Sequence, residues 1–264
     1  MNRKGRGTIK LSKRLETVAS FVEKGSRIAD VGTDHGYIPI VLMERGQASG
    51  AIAMDVGAGP LERAREHIRE RQLESTIETR LCDGVRCLAP GEADTVIIAG
   101  MGGELVIHIM GEGSHLWDSV KHWILSPQSE LDKVRRFLDD HGFAIAKEDM
   151  VEEDGKYYTV MDIERETGEG SEDQEGRRSE TGGVWDSPAE EGDGKREEEL
   201  RQAKYLFGPR LIEEKHPVLM EFLKKEERVL ENIIEGLKEQ ESLRAFDRKK
   251  ELEQRLSWVR RAME

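Results

Sequence analysis

Hydrophobic positions in the first 163 residues alternate between short continuous runs and runs with helical spacing. Thr95–Ala99 is a continuous, largely β-branched run of the kind that is buried on both faces of a parallel sheet. Leu61, Ala64 and Ile68 instead recur at three- and four-residue steps, which predicts a helix over Pro60–Gln72. Strands and helices in strict alternation predict an α/β fold with a doubly wound sheet and right-handed crossovers.

The remaining elements of this region follow from the same two patterns. The predicted strands are Arg27–Val31, Ala48–Met54, Ile77–Leu81, Thr95–Ala99, Trp123–Leu125, Phe143–Ile145 and Tyr157–Ile163, and Gly36–Arg45 is a further predicted helix. We therefore assign residues 1–163 to one α/β domain.

Two segments of different character follow that domain. Residues 164–200 are rich in Glu, Gly, Ser and Asp, and Val184 and Trp185 supply almost all of their apolar surface. We expect this stretch to be a disordered acidic insertion, because it cannot bury enough surface to offset the entropy of ordering. In residues 201–264, apolar residues recur at helical spacing in two stretches separated by Gln240–Ser242. This pattern predicts a C-terminal α-helical hairpin or coiled coil.

The net charge of −13 argues against a nucleic-acid partner only until its distribution is considered. Residues 164–200 hold fourteen acids against five bases, a net charge of −9, so the rest of the chain carries only −4. The first sixteen residues are basic, with one acid, Glu16, among six Lys or Arg residues. A basic arm on a nearly balanced domain is compatible with RNA binding.

Cysteine usage and hydropathy exclude several other classes. Cys82 and Cys87 are too few for a zinc site or a secreted disulfide scaffold, so we expect two reduced thiols and no metal. No apolar run is long enough to span a membrane, and no apolar stretch follows the basic start as in a signal peptide. These features predict a cytoplasmic protein and leave its oligomeric state open.

The most informative motif is Ala29-Asp30-Val31-Gly32-Thr33-Asp34-His35-Gly36, where the first strand gives way to a helix. Ligands of such sheets bind beyond the carboxyl ends of the strands, and glycine permits close backbone approach. A dinucleotide site would require G-x-G-x-x-G around a pyrophosphate, which Asp30 and Asp34 would repel. The same carboxylates can receive the cationic groups of S-adenosylmethionine, so the motif favours that cofactor over NAD.

Acids at the next two strand ends strengthen this prediction. Asp55 ends the second strand, where a carboxylate can accept hydrogen bonds from both ribose hydroxyls. Asp83 and Gly84 follow the third strand, where a polar group can meet the adenine amino group. Each acid alone is more often a surface residue or a helix cap, but three in succession indicate one cofactor site.

The fourth strand ends in Ala99-Gly100-Met101-Gly102-Gly103-Glu104, and we expect the chemistry to occur there. The Gly-rich turn leaves room for a flat base, although such a turn can also simply start a helix. We predict Gly100 as a cofactor contact and Met101 as part of the catalytic site. Gln128, after the fifth strand, is predicted to hydrogen-bond the edge of a base.

Six ordered blocks together resemble the bacterial tRNA (adenine-N1)-methyltransferases that act on adenosine 22. The blocks are Leu11–Leu15, Ala29–His35, Ala48–Ala53, Gly91–Asp94, Ile98–Gly103 and Glu152–Lys156. The resemblance implies a Rossmann-like class I methyltransferase with a seven-stranded, mostly parallel sheet and a C-terminal coiled-coil domain. It also implies S-adenosylmethionine as the cofactor and tRNA as the partner.

Adenine N1 needs no deprotonation before it attacks a methyl group, so positioning is expected to dominate catalysis. Asp34 is the first candidate to stabilise the cationic product, and His35 is either its orienting partner or a structural residue. Tyr37 is a candidate for stacking on the base, although an aromatic residue at this position is more often part of a core. Lys13 and Arg14 are predicted to bind the tRNA.

Three alternatives remain open at this point. A methyltransferase of the same fold can act on a small molecule, a protein or another RNA. A non-catalytic RNA-binding protein can retain the fold without turnover. A nucleotide-dependent oxidoreductase is disfavoured by the absent G-x-G-x-x-G motif.

Overall fold

The computed structural model describes residues 8–165, 194–237 and 242–264. Contacts divide these residues into two compact units. Unit 1 contains the described residues up to Glu130 and those from Val151 to Arg165; unit 2 contains Leu131–Met150 and the described residues from Gly194 onward. No helix in the described ranges is both long and apolar enough to cross a membrane.

Seven strands form one sheet in the order β3-β2-β1-β4-β5-β7-β6. Parallel pairings join β1 to β2 and β4, β2 to β3, and β4 to β5, whereas β7 runs antiparallel to β5. The strands are β1 Arg27–Val31, β2 Gly50–Asp55, β3 Ile77–Leu81, β4 Thr95–Ala99, β5 His122–Ser126, β6 Phe143–Glu153 and β7 Lys156–Arg165. The predicted seven-stranded, mostly parallel α/β fold is confirmed.

The helices of unit 1 connect the strands and cover the sheet. They are α1 Lys13–Phe21, α2 Tyr37–Glu44, α3 Ala58–Arg71 and α4 Gly103–Glu112, with a 3₁₀ turn at Ser114–Leu116. The central strands β1 and β4 are almost wholly buried, as the continuous apolar runs predicted. Because β1, β2 and β3 are neighbours in the sheet, their carboxyl ends lie side by side and bring the strand-end acids to one edge.

Unit 2 is mainly helical. Its helices are α5 Leu131–Asp140, α6 Gly194–Phe207, α7 Pro209–Glu213, α8 Pro217–Leu237 and α9 Leu243–Met263. Lys215 Nζ, just before α8, lies 2.9 Å from the carbonyl oxygen of Glu264, just after α9, as expected for an antiparallel hairpin. Helix α6 packs on α9 as well, so the hairpin is part of a small helical bundle.

The structure differs from the sequence predictions at the acidic segment and at the two cysteines. Strand β7 continues to Arg165 and α6 begins at Gly194, so both ends of the segment predicted to be disordered are ordered. The remainder of that segment, 166–193, lies outside the described residues. The prediction of two reduced thiols is wrong: the turn after β3 brings the Cα atoms of Cys82 and Cys87 to 6.1 Å, and the two residues form a disulfide.

Candidate active site

The loop after β1 has a backbone shape that few residues other than glycine adopt. Gly32, Asp34 and Gly36 all have positive φ, at 72°, 45° and 69°. The backbone N–H groups of Gly32 and Thr33 both donate to the carbonyl oxygen of Met54 at 2.9 Å, which fastens the loop to the end of β2. The loop is therefore held in one shape at the sheet edge where ligands of this fold class bind.

Asp30 is the buried acid of this edge. Its Oδ2 accepts a hydrogen bond of 2.7 Å from the hydroxyl of Thr33, and its side chain is almost fully buried. Burial raises the pKa of Asp30 to about 6; the Thr33 hydrogen bond opposes the rise and the nearby charge of Asp55 adds to it. Among the described residues, no Lys or Arg forms an ion pair with Asp30, so its surroundings favour a cationic ligand.

The second strand-end acid, Asp55, accepts hydrogen bonds from two backbone groups. Its Oδ1 accepts from the N–H of Gly57 at 2.8 Å, and its Oδ2 accepts from the N–H of Asp34 at 3.3 Å. Asp55 is buried at the end of β2, three residues before α3, and links the loops after β1 and β2. Its position agrees with the predicted ribose contact, and that role remains a prediction.

Asp83 and Gly84 lie in the turn that the disulfide closes. Asp83 Oδ2 lies 3.2 Å from Arg86 Nη1, and both side chains are exposed. Gly84 has a φ of 59°, and a Cβ there would lie 3.2 Å from Cγ1 of Ile109. The turn stands at the end of β3, next to β2 in the sheet, and its predicted contact with adenine remains a prediction.

Asp34 and His35 belong to a cluster on the exposed side of the loop. Asp34 Oδ1 accepts a hydrogen bond of 2.5 Å from Arg63 Nη2, and His35 Nε2 lies 3.4 Å from Asp34 Oδ2. The rings of His35, Tyr37 and His67 stack on one another, with centroids 5.1–5.5 Å apart. His67 Nδ1 also lies 2.9 Å from the carbonyl oxygen of His35.

The Gly-rich loop after β4 meets the loop after β1 through Met101. A Cβ on Gly32 would overlap the terminal methyl of Met101, so that methyl occupies the space that the missing side chain leaves. The backbone N–H of Gln128 donates to the carbonyl oxygen of Met101 at 2.8 Å. The structure thus brings Gly32 and Met101 together, whereas Gln128 contributes a backbone contact and its predicted base contact remains a prediction.

Lys13 and Arg14, adjacent in sequence, point to different surroundings. Lys13 Nζ donates to the carbonyl oxygen of Glu152 at 3.2 Å on the exposed surface. The guanidinium of Arg14 lies beside Gly100 and over the ring of Tyr158, with its Cζ 5.6 Å from the centroid. Arg14 Nη1 is buried and has no hydrogen-bond partner among the described residues.

Comparison with known proteins identifies the family of the chain. Residues 11–161 match the family model described as a methyltransferase domain. The crystal structure of the Bacillus subtilis m1A22 tRNA methyltransferase TrmK shares 30% identity and a TM-score of 0.74, covering 97% of this chain and 99% of that chain. The chain therefore belongs to the family that the methyltransferase-domain model describes.

Two further proteins are similar to this chain. The tRNA (adenine(22)-N(1))-methyltransferase of Bacillus subtilis strain 168 is 39% identical over 153 residues, which cover 58% of this chain and 64% of the relative. That alignment therefore spans slightly less than two thirds of the relative. Sp1610 of Streptococcus pneumoniae, crystallised with S-adenosyl-L-methionine, shares 31% identity and a TM-score of 0.73, covering 97% of this chain and all of that chain.

Sequence reasoning did not identify two residues of the candidate site. Arg63 and His67 lie one turn apart on α3, and they meet Asp34 and His35 only because α3 packs beside the loop after β1. The sequence offers one weak signal for them, the four-residue spacing that places both on the same face of a helix.

Proposed function

We propose that the protein is an S-adenosylmethionine-dependent methyltransferase that acts on N1 of adenosine 22 in tRNA. One observation carries the proposal: the buried carboxyl of Asp30 and the Gly100–Gly103 loop lie at the same edge of the sheet and meet through Gly32 and Met101. Family membership supports this reaction class, and the names of the relatives support the tRNA substrate.

The residues at this edge fit the cofactor. Asp30 offers a buried carboxyl to a cationic amino group, and Asp55 lies at the next strand end, within reach of a ribose. Gly32 lets the backbone approach closely. When bound there, S-adenosylmethionine supplies an electrophilic methyl group on a sulfonium centre.

The chain's task in this reaction is to position the base and stabilise charge. The lone pair of adenine N1 forms the new bond to carbon as the carbon–sulfur bond breaks, and the bonding pair remains on sulfur. No base is needed for that step, which leaves a positive charge on the purine ring. We assign stabilisation of that charge to Asp34, since its carboxylate is half-exposed and Arg63 holds it at the loop after β1.

The tRNA must present an accessible N1. A Watson–Crick pair hides this atom, so the base has to be unpaired or turned out of its stack. The stacked rings of His35, Tyr37 and His67 offer a face to such a base, and Arg14 Nη1 offers a hydrogen bond inside the site. Lys13, on the surface, is assigned to the tRNA backbone. A tRNA substrate also agrees with the predicted cytoplasmic location.

The direct test uses methyl-labelled S-adenosylmethionine and unmodified tRNA transcripts. We expect label in 1-methyladenosine with a transcript that has adenosine at position 22, and none when that adenosine is replaced by guanosine. Asp30→Asn serves as a matched variant, because it retains the side-chain size and removes the charge that the cofactor site requires.

Two other outcomes would change the proposal in different ways. Cofactor binding with label at another nucleotide, or only in a small molecule, would keep the enzyme class and overturn the substrate. Cofactor binding with no methyl transfer to any RNA would favour a non-catalytic RNA-binding protein of the same fold.

A further inference from the structure

A second group of polar side chains lies at the opposite edge of the sheet, where β5 begins. His122 is the first residue of β5, and the register that pairs Ile124 with Asp162 places Glu164 opposite His122. Side chains two residues apart along a strand share a face, as do directly opposed residues. His122, Asp162 and Glu164 therefore project from the same face of neighbouring strands.

The distances within this group fit shared coordination. His122 Nδ1 lies 3.1 Å and 3.2 Å from the two carboxylate oxygens of Asp162 and 3.5 Å from Oε1 of Glu164. One ligand atom from each residue lies within 4.8 Å of the other two. Ligand atoms about 2.0–2.2 Å from a tetrahedral ion are roughly 3.3–3.6 Å apart, so small side-chain rotations suffice to surround one ion.

A fourth residue occupies the other side of the imidazole. Glu23, in the turn between α1 and β1, places its Oε2 3.6 Å from His122 Nε2. Metal-binding histidines commonly direct their second ring nitrogen at a carboxylate, which fixes the ring and its tautomer. In the tautomer that carries its proton on Nε2, on the side of Glu23, the lone pair of Nδ1 faces Asp162 and Glu164, as coordination requires.

The charge of the group is unbalanced without a cation. Three carboxylates surround one imidazole, which leaves a net charge of −2 even when His122 is protonated. Among residues 8–165, 194–237 and 242–264, no Lys or Arg forms an ion pair with Glu23, Asp162 or Glu164. The side chains of His122 and Asp162 are only 15% and 11% exposed, whereas those of Glu164 and Glu23 are 48% and 69% exposed, so water screens the excess negative charge least at Asp162.

We propose that His122, Asp162 and Glu164 bind a divalent transition-metal ion, with Glu23 orienting the histidine and water completing the coordination. One nitrogen and two carboxylate ligands favour Zn²⁺ or a similar first-row ion over Mg²⁺ or Ca²⁺, which prefer all-oxygen sites. The ion would link β5 to β7 at the amino end of the parallel strands. The proposal does not rest on the proposed function, because it concerns the edge opposite the candidate active site.

Calorimetric titration of the untagged full-length protein with Zn²⁺, after treatment with a chelator, tests the site directly. We expect saturable binding of one ion per chain, and binding of Mg²⁺ at least tenfold weaker. Titration with Co²⁺ should add visible absorption bands, which report coordination by the protein. His122→Gln and Asp162→Asn should each weaken Zn²⁺ binding at least tenfold.

Two further variants test whether a loss of Zn²⁺ binding comes from this site. One controls for binding of Zn²⁺ elsewhere on the surface, and the other controls for loss of the folded structure. His108→Gln removes an exposed histidine of α4 and should leave the affinity unchanged. Glu164→Gln alters the more exposed ligand, so weaker binding with an unchanged circular dichroism spectrum would support a direct contact. Zn²⁺ binding that is equal in wild type and His122→Gln, or no saturable binding to folded wild type, would overturn the proposal and leave a His–carboxylate ion-pair cluster.

Discussion

The guanidinium of Arg14 lies directly beside Gly100, so that a Cβ at position 100 would be 3.5 Å from both Nη1 and Nη2 of Arg14. Helix α1 begins one residue before Arg14, where Ser12 accepts a hydrogen bond from the N–H of Leu15 and caps the helix. The start of α1 thus sets the direction in which Arg14 enters the site. Arg14, which is predicted to bind the tRNA, therefore lies next to the loop after β4.

The position of Arg14 predicts that removing its guanidinium group lowers turnover. We expect Arg14→Ala to lower kcat/KM for tRNA by about a hundredfold and Arg14→Lys to recover only part of it, because lysine lacks the planar fork. Lys24→Ala removes one exposed cation elsewhere in unit 1 and provides the control. Steady-state kinetics at fixed salt measures the effect, and equal rates for Arg14→Ala and Lys24→Ala would contradict it.

The raised pKa of Asp30 predicts a pH-dependent affinity for the methyl donor. Below pH 6 Asp30 is mainly protonated and cannot pair with a cationic amino group, so affinity should fall about tenfold between pH 7 and pH 5. The stability of the protein without cofactor depends on pH in the opposite direction. Because the pKa of Asp30 is higher in the folded than in the unfolded state, folding is favoured where this carboxyl is neutral, and that contribution to stability is lost as pH rises from about 4 through 6. Donor titrations at three pH values test this, and Asp30→Asn should abolish the dependence. An affinity that does not change between pH 5 and pH 7 would contradict the prediction.

The backbone conformation at Asp34 determines which variant tests its role. With a φ of 45°, the position suits asparagine far better than alanine. We expect Asp34→Asn to retain the thermal stability of wild type and to lower kcat at least tenfold, since it removes only the charge. Asp34→Ala should also lose about 1 kcal/mol of stability through backbone strain. A normal kcat for Asp34→Asn would exclude Asp34 from charge stabilisation.

Gly32 and Gly46 form a matched pair, because both have positive φ but only Gly32 faces another residue of the site. Gly32→Ala would force Met101 to move, whereas a Cβ on Gly46, with a φ of 63°, meets no atom within 4 Å. Both substitutions should cost about 1–2 kcal/mol of stability, and only Gly32→Ala should weaken donor binding, by at least tenfold. Thermal unfolding of both variants measures the cost of backbone strain, and titration with S-adenosylmethionine measures the effect on the site. Equal affinities of the two variants for S-adenosylmethionine would contradict the role of Gly32.

The sequence predicted most clearly those elements whose signal is local. The boundaries of β1, β3 and β4 match the predictions because each strand is a short run bounded by a turn or a glycine. The second half of β6 was missed, since its alternating, largely polar residues include no apolar run. Helix α1 was also missed; its capping serine is visible, but its short apolar face is not distinctive.

The candidate site was predictable to the extent that strand order determines it. Consecutive parallel strands bring Asp30 and Asp55 to one edge, and the alternation of elements alone indicates that edge. The partners of Asp34 and the direction of Arg14 depend on how α3 and α1 pack against the sheet. His122 and Glu164 become neighbours only through an antiparallel pairing between distant strands, which no local pattern encodes.

The strongest prediction for unit 2 concerns its buried ion pair. Arg135 and Glu148 are both fully buried, with Nη2 of the arginine 3.1 Å from Oε1 of the glutamate. Burial raises the pKa of Glu148; Arg135 and the backbone N–H groups of Arg210 and Leu211 oppose that rise. The pair joins α5 and β6, and Arg135 Nη1 also donates to the carbonyl oxygen of Tyr205 in α6 at 2.8 Å.

Removing one partner of this pair should be costly, because the other charge remains buried. We expect Glu148→Ala to lower the free energy of unfolding of the protein by about 3–5 kcal/mol. The paired substitution Arg135→Met with Glu148→Leu should recover much of that loss, since it removes both charges and retains apolar volume. Glu221→Ala breaks an exposed ion pair with Lys225 on α8 and should change stability little. Denaturant unfolding of the wild type and the three variants measures these differences. A loss of unfolding free energy for Glu148→Ala no larger than for Glu221→Ala would show that the buried pair does not stabilise the fold.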